Sequence, residues 1–345
     1  TFMYLQNYYM QNTPLGYDKD EIIITNMNNN IRKSRDAFAS QVKSFSGIEE
    51  VTYAEMLLSS QDQYMGWGRK YRDKDIQFQC LPVEPSFLKV MNVKISEGRD
   101  FREEDKAKRY GTFVFNERAR TEYGLEIGSL IDSMEIVGFM PDVKFASFRT
   151  EVTPMAFFVW GTNNWGNQPN YAYIKVKAGS DLRGAMQHVK TTLQSFDPEY
   201  PFNVRFFDEV LNGLYEKERS LSSLITLFSL IAIFISVVGV FGLVVFDSEY
   251  RKKEIGIRKV LGSTTEEIIV MFNKTYIRIL CVCFVLGAPI AGYVVHRWLE
   301  NFAYKTPMYW WVYLIAFAII AVITILTVTF QNWRAANENP VHSIK

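Results

Sequence analysis

Three cysteines and three histidines in 345 residues leave little material for metal or redox chemistry. Cys281 and Cys283 fall in one apolar run and Cys80 stands alone far upstream, so no disulfide framework can form outside that run. His188, His296 and His342 are scattered, whereas a metal site needs several ligands converging on one point. Neither a phosphate-binding pattern G-x-x-x-x-G-K-S/T nor a nucleophile elbow G-x-S-x-G occurs, which argues against ATP hydrolysis or a serine hydrolase within these residues. An excess of one charge sign is lacking too. The formal net charge is +1, which gives no reason to expect nucleic acid. The densest carboxylate group is Asp100, Glu103, Glu104 and Asp105. It interleaves with Arg99, Arg102, Lys106 and Lys108 and reads as a mutually neutralised turn, not an acid/base site. The chain is therefore not read as an enzyme, and no cofactor or metal is expected.

Long stretches also lack charge altogether, and these carry the most information. Residues 220–246, 279–295 and 306–333 contain no Asp, Glu, Lys or Arg. Each approaches or exceeds the ~20 residues a membrane-crossing helix needs, and spans are placed at 220–246, 272–295 and 308–332. Gly287 and Pro289 suggest a kink in the second span, and Arg278 snorkels to its inner face. Between the first two spans lies Glu249-Tyr-Arg-Lys-Lys-Glu-Ile-Gly-Ile-Arg-Lys-Val-Leu-Gly-Ser263, within a loop at 247–266. Its Arg251, Lys252, Lys253, Arg258 and Lys259 place the loop in the cytoplasm by the positive-inside rule. Residues 1 to about 219 then lie outside, and the tail 333–345 lies inside. The loop reads as a short amphipathic helix. Glu249/Lys253 and Glu254/Arg258 are favourable i,i+4 pairs; Ile257, Val260 and Leu261 share an apolar face; Gly262 fits a C-cap; and Ser263 with Glu266 fits a capping box for the next helix. Two readings stand: a topology anchor, or a docking surface for a cytoplasmic partner.

The segment before the first span reads as α+β. Strands are expected at 21–25, 51–58, 171–176 and 202–206, with helices at 31–45 and 182–196. These make two β-α-β units, at 11–59 and 169–207, around an inserted subdomain at 60–168. In the insertion, 85–90 reads as a helix and 112–115, 136–139 and 155–160 as strands, with turn-rich loops at 66–68 and 163–169. Trp67 and Trp165 in those loops either grip a partner or fold over their own domain. Asp208 is expected to cap a stalk helix over 208–219 that continues unbroken into the first span. Within that span Ser229, Ala232, Ser236, Gly239 and Gly242 form a small-residue stripe. It is either a dimer seam or a packing surface for neighbouring spans. The aromatic, uncharged residues 1–10 read as the outer end of a further membrane helix, truncated at its start.

The stretch from Tyr250 to Ser263 resembles the signature loop of FtsX-like and MacB-like permeases of ABC transporters. The likeness extends through Trp298-Leu-Glu-Asn-Phe-Ala-Tyr304, Trp310-Trp311 and the ending Ala335-Ala-Asn-Glu-Asn-Pro-Val-His-Ser343. It also reaches Phe87-Leu-Lys-Val90, Glu97-Gly-Arg-Asp-Phe101, Asn116-Glu117 and Ile136-Val-Gly138. The resemblance implies a bipartite periplasmic domain and a coupling loop that touches a separate cytoplasmic ABC ATPase. The residues it points to are Arg251, Lys253, Glu254, Ile255, Gly256, Ile257, Arg258, Lys259, Leu261 and Gly262. It further implies a bacterial inner-membrane location, a dimer of permease halves or subunits, a periplasmic adaptor, and export of macrolide, peptide or lipoprotein type cargo or regulation of a hydrolase. A membrane sensor acting through a cytoplasmic partner is the alternative.

Overall fold

A computed structural model describes residues 2–336 except 62, 164–168, 252, 255, 256, 259 and 260. The chain divides into two units. One is α+β and comprises residues 12–217 with 302–304; the other is helical and comprises 1–11, 218–301 and 305–345.

The α+β unit is built on two sheets. In the first, β1 (Ile22–Asn26), β2 (Ile48–Ala54), β10 (Tyr171–Val176) and β11 (Arg205–Phe206) run in the order β11-β1-β10-β2, all antiparallel. Helices α2 (Asn29–Lys33) and α3 (Arg35–Lys43) link β1 to β2, and α6 (Leu182–Phe196) links β10 to β11. This is a split β-α-β pattern whose middle connection is opened by an insertion. The expected single helix at 31–45 is two, because Ser34 leaves helical geometry at φ −118°, ψ 31°. Helix α6 begins where Asp181 accepts the N–H groups of Arg183 and Gly184.

The second sheet holds β3 (Gly66–Tyr71), β4 (Lys74–Pro82), β5 (Glu97–Gly98), β6 (Thr112–Asn116), β7 (Leu130–Ile131), β8 (Met134–Met140) and β9 (Met155–Val159). Its order is β3-β4-β9-β6-β8-β5, with β7 beside β8. Two short helices, α4 (Phe87–Val90) and α5 (Glu117–Tyr123), accompany it. Residues 66–68 belong to strand β3, not to a turn. The turn sits at Arg72, whose φ of 53° closes the β3–β4 hairpin. Trp67 folds over its own sheet against Phe113, Phe158 and Trp160; Trp165 lies outside the described residues.

Alternation explains why the central strands are apolar throughout. Ile22 and Ile24 face a core shared with Phe87, Phe157 and Phe207, while Ile23 faces a second core with Phe38, Val42 and Leu193. In the other sheet, Val114 and Phe157 face the shared core, and Phe113, Phe115 and Phe158 face a third. Strands covered on both faces have no polar side to show. The insertion and the split β-α-β part therefore share one core.

Helix α7 (Phe207–Leu214) follows β11, and α8 (Glu216–Tyr250) begins two residues after α7 ends. Tyr215 between them has φ −110° and ψ 9°. The expected unbroken helix from Asp208 is thus two helices, with the break at Tyr215, and the residue before the first is Phe206, not Asp208. In the helical unit, α9 (Thr265–Leu299) and α10 (Trp310–Ala336) follow α8. The three are long and apolar enough to cross a membrane over Ser220–Asp247, Thr265–Leu299 and Trp310–Phe330. Pro289 lies inside α9, which runs well beyond the expected 272–295. Helix α10 packs on α9 through Phe284 and Phe317, 4.8 Å apart, and through an Asn273–Thr329 hydrogen bond of 2.9 Å. Val244 of α8 joins Ile268, Phe272 and Val328 in a small core. Helix α1 (Phe2–Asn12) adds Phe2, 5.4 Å from Tyr313, and Gln6, which accepts the Thr306 N–H at 2.7 Å.

Candidate functional site

The loop between α8 and α9 is organised by its charges. Arg251 donates to Asp247 of α8 at 2.9 Å, and its guanidinium lies 5.9 Å from the Phe272 ring of α9. One basic residue of the loop is therefore held by both flanking helices. Farther along, Lys253, Glu254, Ile257 and Arg258 are helical, and Arg258 donates to Glu254 at 2.8 Å. Gly262 then turns left-handed at φ 96°, and the Ser263 N–H donates back to the Arg258 carbonyl at 2.9 Å. That bond ends the helix in the manner of a Schellman cap. The side chains of Ile257 and Leu261 are 57% and 80% exposed, so the apolar face of this short helix has no cover within the described residues. Ile255, Gly256 and Lys259 lie outside the described residues.

The capping box belongs to Thr264 and Glu267, one residue beyond the expected Ser263 and Glu266. Thr264 accepts the Glu267 N–H, and Glu267 accepts the Thr264 N–H. Ser263 is already engaged in closing the previous helix.

In α8, the stripe residues Ser229, Ala232, Ser236, Gly239 and Gly242 are all exposed within this chain. A Cβ on Gly239 or Gly242 would meet no atom within 4 Å. Ala232 and Ser236 line a cleft of about 390 Å³ with Leu280, Ile320, Ile323 and Thr327. The Ser236 and Thr327 hydroxyls donate to carbonyls of their own helices, Ala232 and Ile323, so the cleft presents no free donor from them.

The carboxylate cluster of the α+β unit is organised as ion pairs. Asp105, 1% exposed, receives two Arg99 bonds of 2.8 Å, the Arg102 N–H at 2.8 Å and Lys108 at 3.3 Å. Burial works to raise its pKa, but these donors outweigh burial and hold the carboxyl below its ordinary value. Lys106 bridges Glu84 and Glu103. Cys80 is fully buried, which pushes its thiol well up and leaves it inert. Among the described residues no three His, Cys, Asp or Glu side chains converge as a metal site.

Sequence reasoning missed the Asp247–Arg251 clasp, although its i,i+4 spacing could have shown it. It also missed a contact set around Phe148, which has no sequence signature. The Phe148 N–H donates to the Tyr215 hydroxyl, and the Phe148 carbonyl accepts the Tyr304 N–H.

The chain thus joins a two-sheet α+β domain to three helices long and apolar enough to cross a membrane, the first two linked by a basic loop. The chain belongs to the FtsX-like permeases with a MacB-like periplasmic core domain. The profile of the MacB-like periplasmic core domain matches residues 7–192, and that of the FtsX-like permease C-terminal matches residues 226–340. Among curated proteins it is similar to the macrolide export ATP-binding/permease protein MacB of Chromobacterium violaceum, 23% identical over 230 residues. It is equally similar to MacB of Escherichia coli strain K12, 23% identical over 233 residues. Each match covers 64% of this chain and 35% of the relative, so the chain spans about a third of the relatives' length. Solved structures resemble it too, among them these two. One is the periplasmic region of MacB from Actinobacillus actinomycetemcomitans, with TM-score 0.41, 14% identity, and coverage of 56% of this chain and 92% of that one. The other is a domain of a permease protein from Porphyromonas gingivalis, with TM-score 0.37, 17% identity, and coverage of 56% and 92%.

Proposed function

We propose that this chain is a permease subunit of an ABC transporter that converts ATPase closure into movement of its α+β domain. The observation that carries the reading is the loop at 251–262. It combines an exposed Ile257 and Leu261, an ordering Glu254–Arg258 pair, and a firm tie through Arg251 to the helices on either side. An apolar helical face bordered by charges suits a protein groove. A push on it would move α8 and α9 together, because Arg251 engages both.

ATP is hydrolysed on an ABC ATPase outside these residues, on the cytoplasmic side. The α+β domain stands on the periplasmic side of the bacterial inner membrane, a reading that the basic loop supports through the positive-inside rule. Cargo, of macrolide, peptide or lipoprotein type, is handled there, since the cleft among the spans is apolar. The exposed stripe on α8 seats a second permease half or subunit, and a periplasmic adaptor completes the pathway. The test is co-expression with a candidate P-loop ABC ATPase, sought first among the reading frames neighbouring this gene. Co-purification, with ATP hydrolysis altered by the chain, is expected. An ATPase that neither binds nor responds would overturn the reading.

A further inference from the structure

The α+β unit contains a second feature that docking of an ATPase on the loop does not explain. A cavity of about 230 Å³ is lined by residues 143–147 and 150–153 with Gln63, Tyr64, Gln79, Met155 and Tyr304. Its walls are fixed. Tyr304 is held by its N–H to the Phe148 carbonyl at 3.1 Å and by its hydroxyl, which accepts the Val152 N–H at 3.3 Å. Gln79 donates to Thr153 and accepts the Tyr64 N–H, and the Tyr64 hydroxyl donates to the Phe145 carbonyl.

The cation of this lining lacks a carboxylate beside it. The Lys144 ammonium lies 4.1 Å from the Tyr304 ring centroid and 4.9 Å from that of Phe148, and no carboxylate approaches it within ion-pair distance among the described residues. Burial lowers its pKa, with no neighbouring charge to oppose the shift. The aromatic faces attract the cation but cannot accept its three N–H donors as an oxygen anion would. A partly buried, unpaired cation is costly, and an anion that seats beside it recovers that cost.

We propose that this cavity binds a small organic carboxylate, with its apolar body against Val143, Phe145 and Met155 and its carboxylate on Lys144. The size argues for a ligand smaller than the drug-sized molecules that fill pockets of ~300–1,000 Å³. The charge argues for a monoanion: Lys144 is the single cation in the lining among the described residues, and Glu151 on the same lining would repel a dianion such as phosphate. This site goes beyond the coupling reading and stands or falls without an ATPase.

The experiment uses the full chain in nanodiscs, with para-fluorobenzoate as probe and its neutral isostere para-fluorobenzyl alcohol as control, followed by fluorine NMR. Saturable binding of the carboxylate at one site per chain is expected. Lys144→Gln should weaken it about ten-fold or more, as for loss of a charge-assisted hydrogen bond, and leave the alcohol's weak binding unchanged. Lys144→Arg should keep the affinity within about three-fold, which separates lost charge from lost folding. Glu151→Gln should leave binding equal or tighter. The proposal is overturned by absence of saturable binding up to about 10 mM, by equal affinity of the alcohol, or by a folded Lys144→Gln protein that binds as the wild type does.

Discussion

The backbone N–H of Phe148 donates to the hydroxyl of Tyr215 at 3.3 Å, and the two rings lie 6.2 Å apart. Tyr215 is the residue at which α7 gives way to α8. Phe148 also accepts from Tyr304 and packs edge-on against its ring at 6.0 Å. Tyr304 lies in the connection between α9 and α10. One buried phenylalanine therefore contacts both Tyr215, at the break between α7 and α8, and Tyr304, in the connection between α9 and α10. Val152 and Lys144 also touch Tyr304, so the joint is a set of contacts within the α+β unit and not a single residue.

Tyr215→Phe tests that joint with the smallest change. It leaves the ring contact and removes the acceptor of a buried N–H, which costs about 1–3 kcal/mol where no water replaces it. Faster amide hydrogen exchange at Phe148 is expected, with exchange across β1 and β10 unchanged. Unaltered exchange at Phe148 would show that the hydroxyl does not secure the joint.

The loop between α8 and α9 offers the second prediction. Glu254→Ala with Arg258→Ala removes an ion pair whose members are 43% and 46% exposed. Such a pair contributes only ~0.3–0.5 kcal/mol to its helix. Membrane insertion and unfolding should thus be nearly unchanged. Any large loss of ATPase co-purification must come from the partner interface, where a desolvated charge is worth ~2–5 kcal/mol. Wild-type co-purification of the double variant would remove the charged face from the docking site.

Topology is best probed away from Cys80, whose thiol is fully buried and whose pKa is pushed up. Asp73, exposed at the tip of the β3–β4 hairpin, is the better position. A membrane-impermeant maleimide should label Asp73→Cys on intact spheroplasts. It should label Lys253→Cys only after the membrane is opened. Native Cys80 should stay unlabelled in both. The reverse pattern at 73 and 253 would invert the orientation.

The pH dependence of the α+β unit should carry the signature of Asp105. Its folded-state pKa lies below the ordinary 3.8, so its stabilisation is complete above that value and is lost as pH falls through the lower, folded one. Asp105→Asn should cost about 2–3 kcal/mol at neutral pH, less than the ~3–5 of a fully buried pair because Arg99 keeps part of its side chain in solvent. The variant should also show a shallower fall in stability below pH 4. An identical acid slope in both proteins would assign the acid lability elsewhere.

Much of this architecture was legible in the sequence, and the misses have physical causes. Strand β10 showed itself through alternation and helix α6 through its 182–196 pattern, while the Asp181 cap that starts α6 emerged only in the structure. The hairpin β3–β4 was hidden because Gly66 and Gly68 carry a turn composition into a strand, where neither meets any atom a Cβ would touch. Both Ser263/Glu266 and Thr264/Glu267 satisfy the S/T-x-x-E pattern. The choice between them follows from Gly262, whose left-handed turn commits the Ser263 N–H to Arg258 and passes the capping role to Thr264. Of the loop residues, the Glu254–Arg258 pair was readable from spacing, as was the termination at Gly262. The contacts of Phe148 were not, because they join positions 67 residues apart and more, which no local spacing marks.

The break at Tyr215 makes α7 a separate arm, and Gly213 decides how stiff that arm is. Gly213 is exposed, and a Cβ there would meet no atom within 4 Å, so substitutions act on the backbone and spare the core. Gly213→Ala should stiffen α7 by roughly 0.5–1 kcal/mol. Gly213→Pro should break it, since proline removes a helical hydrogen bond and clashes with the preceding turn at ~3 kcal/mol or more. The cores around β1 and β6 do not include Gly213, and the apolar helices are untouched, so both variants should fold, insert and bind the ATPase. The readout is the ATP-dependent change in amide exchange within the α+β unit. If α7 is an arm that transmits movement, the alanine variant keeps the change or enlarges it, and the proline variant loses it. A full response in the proline variant would make α7 a passive tether and leave the Phe148–Tyr304 contact as the route. A response lost in the alanine variant would show that the arm must bend at Gly213, so that transmission depends on compliance there.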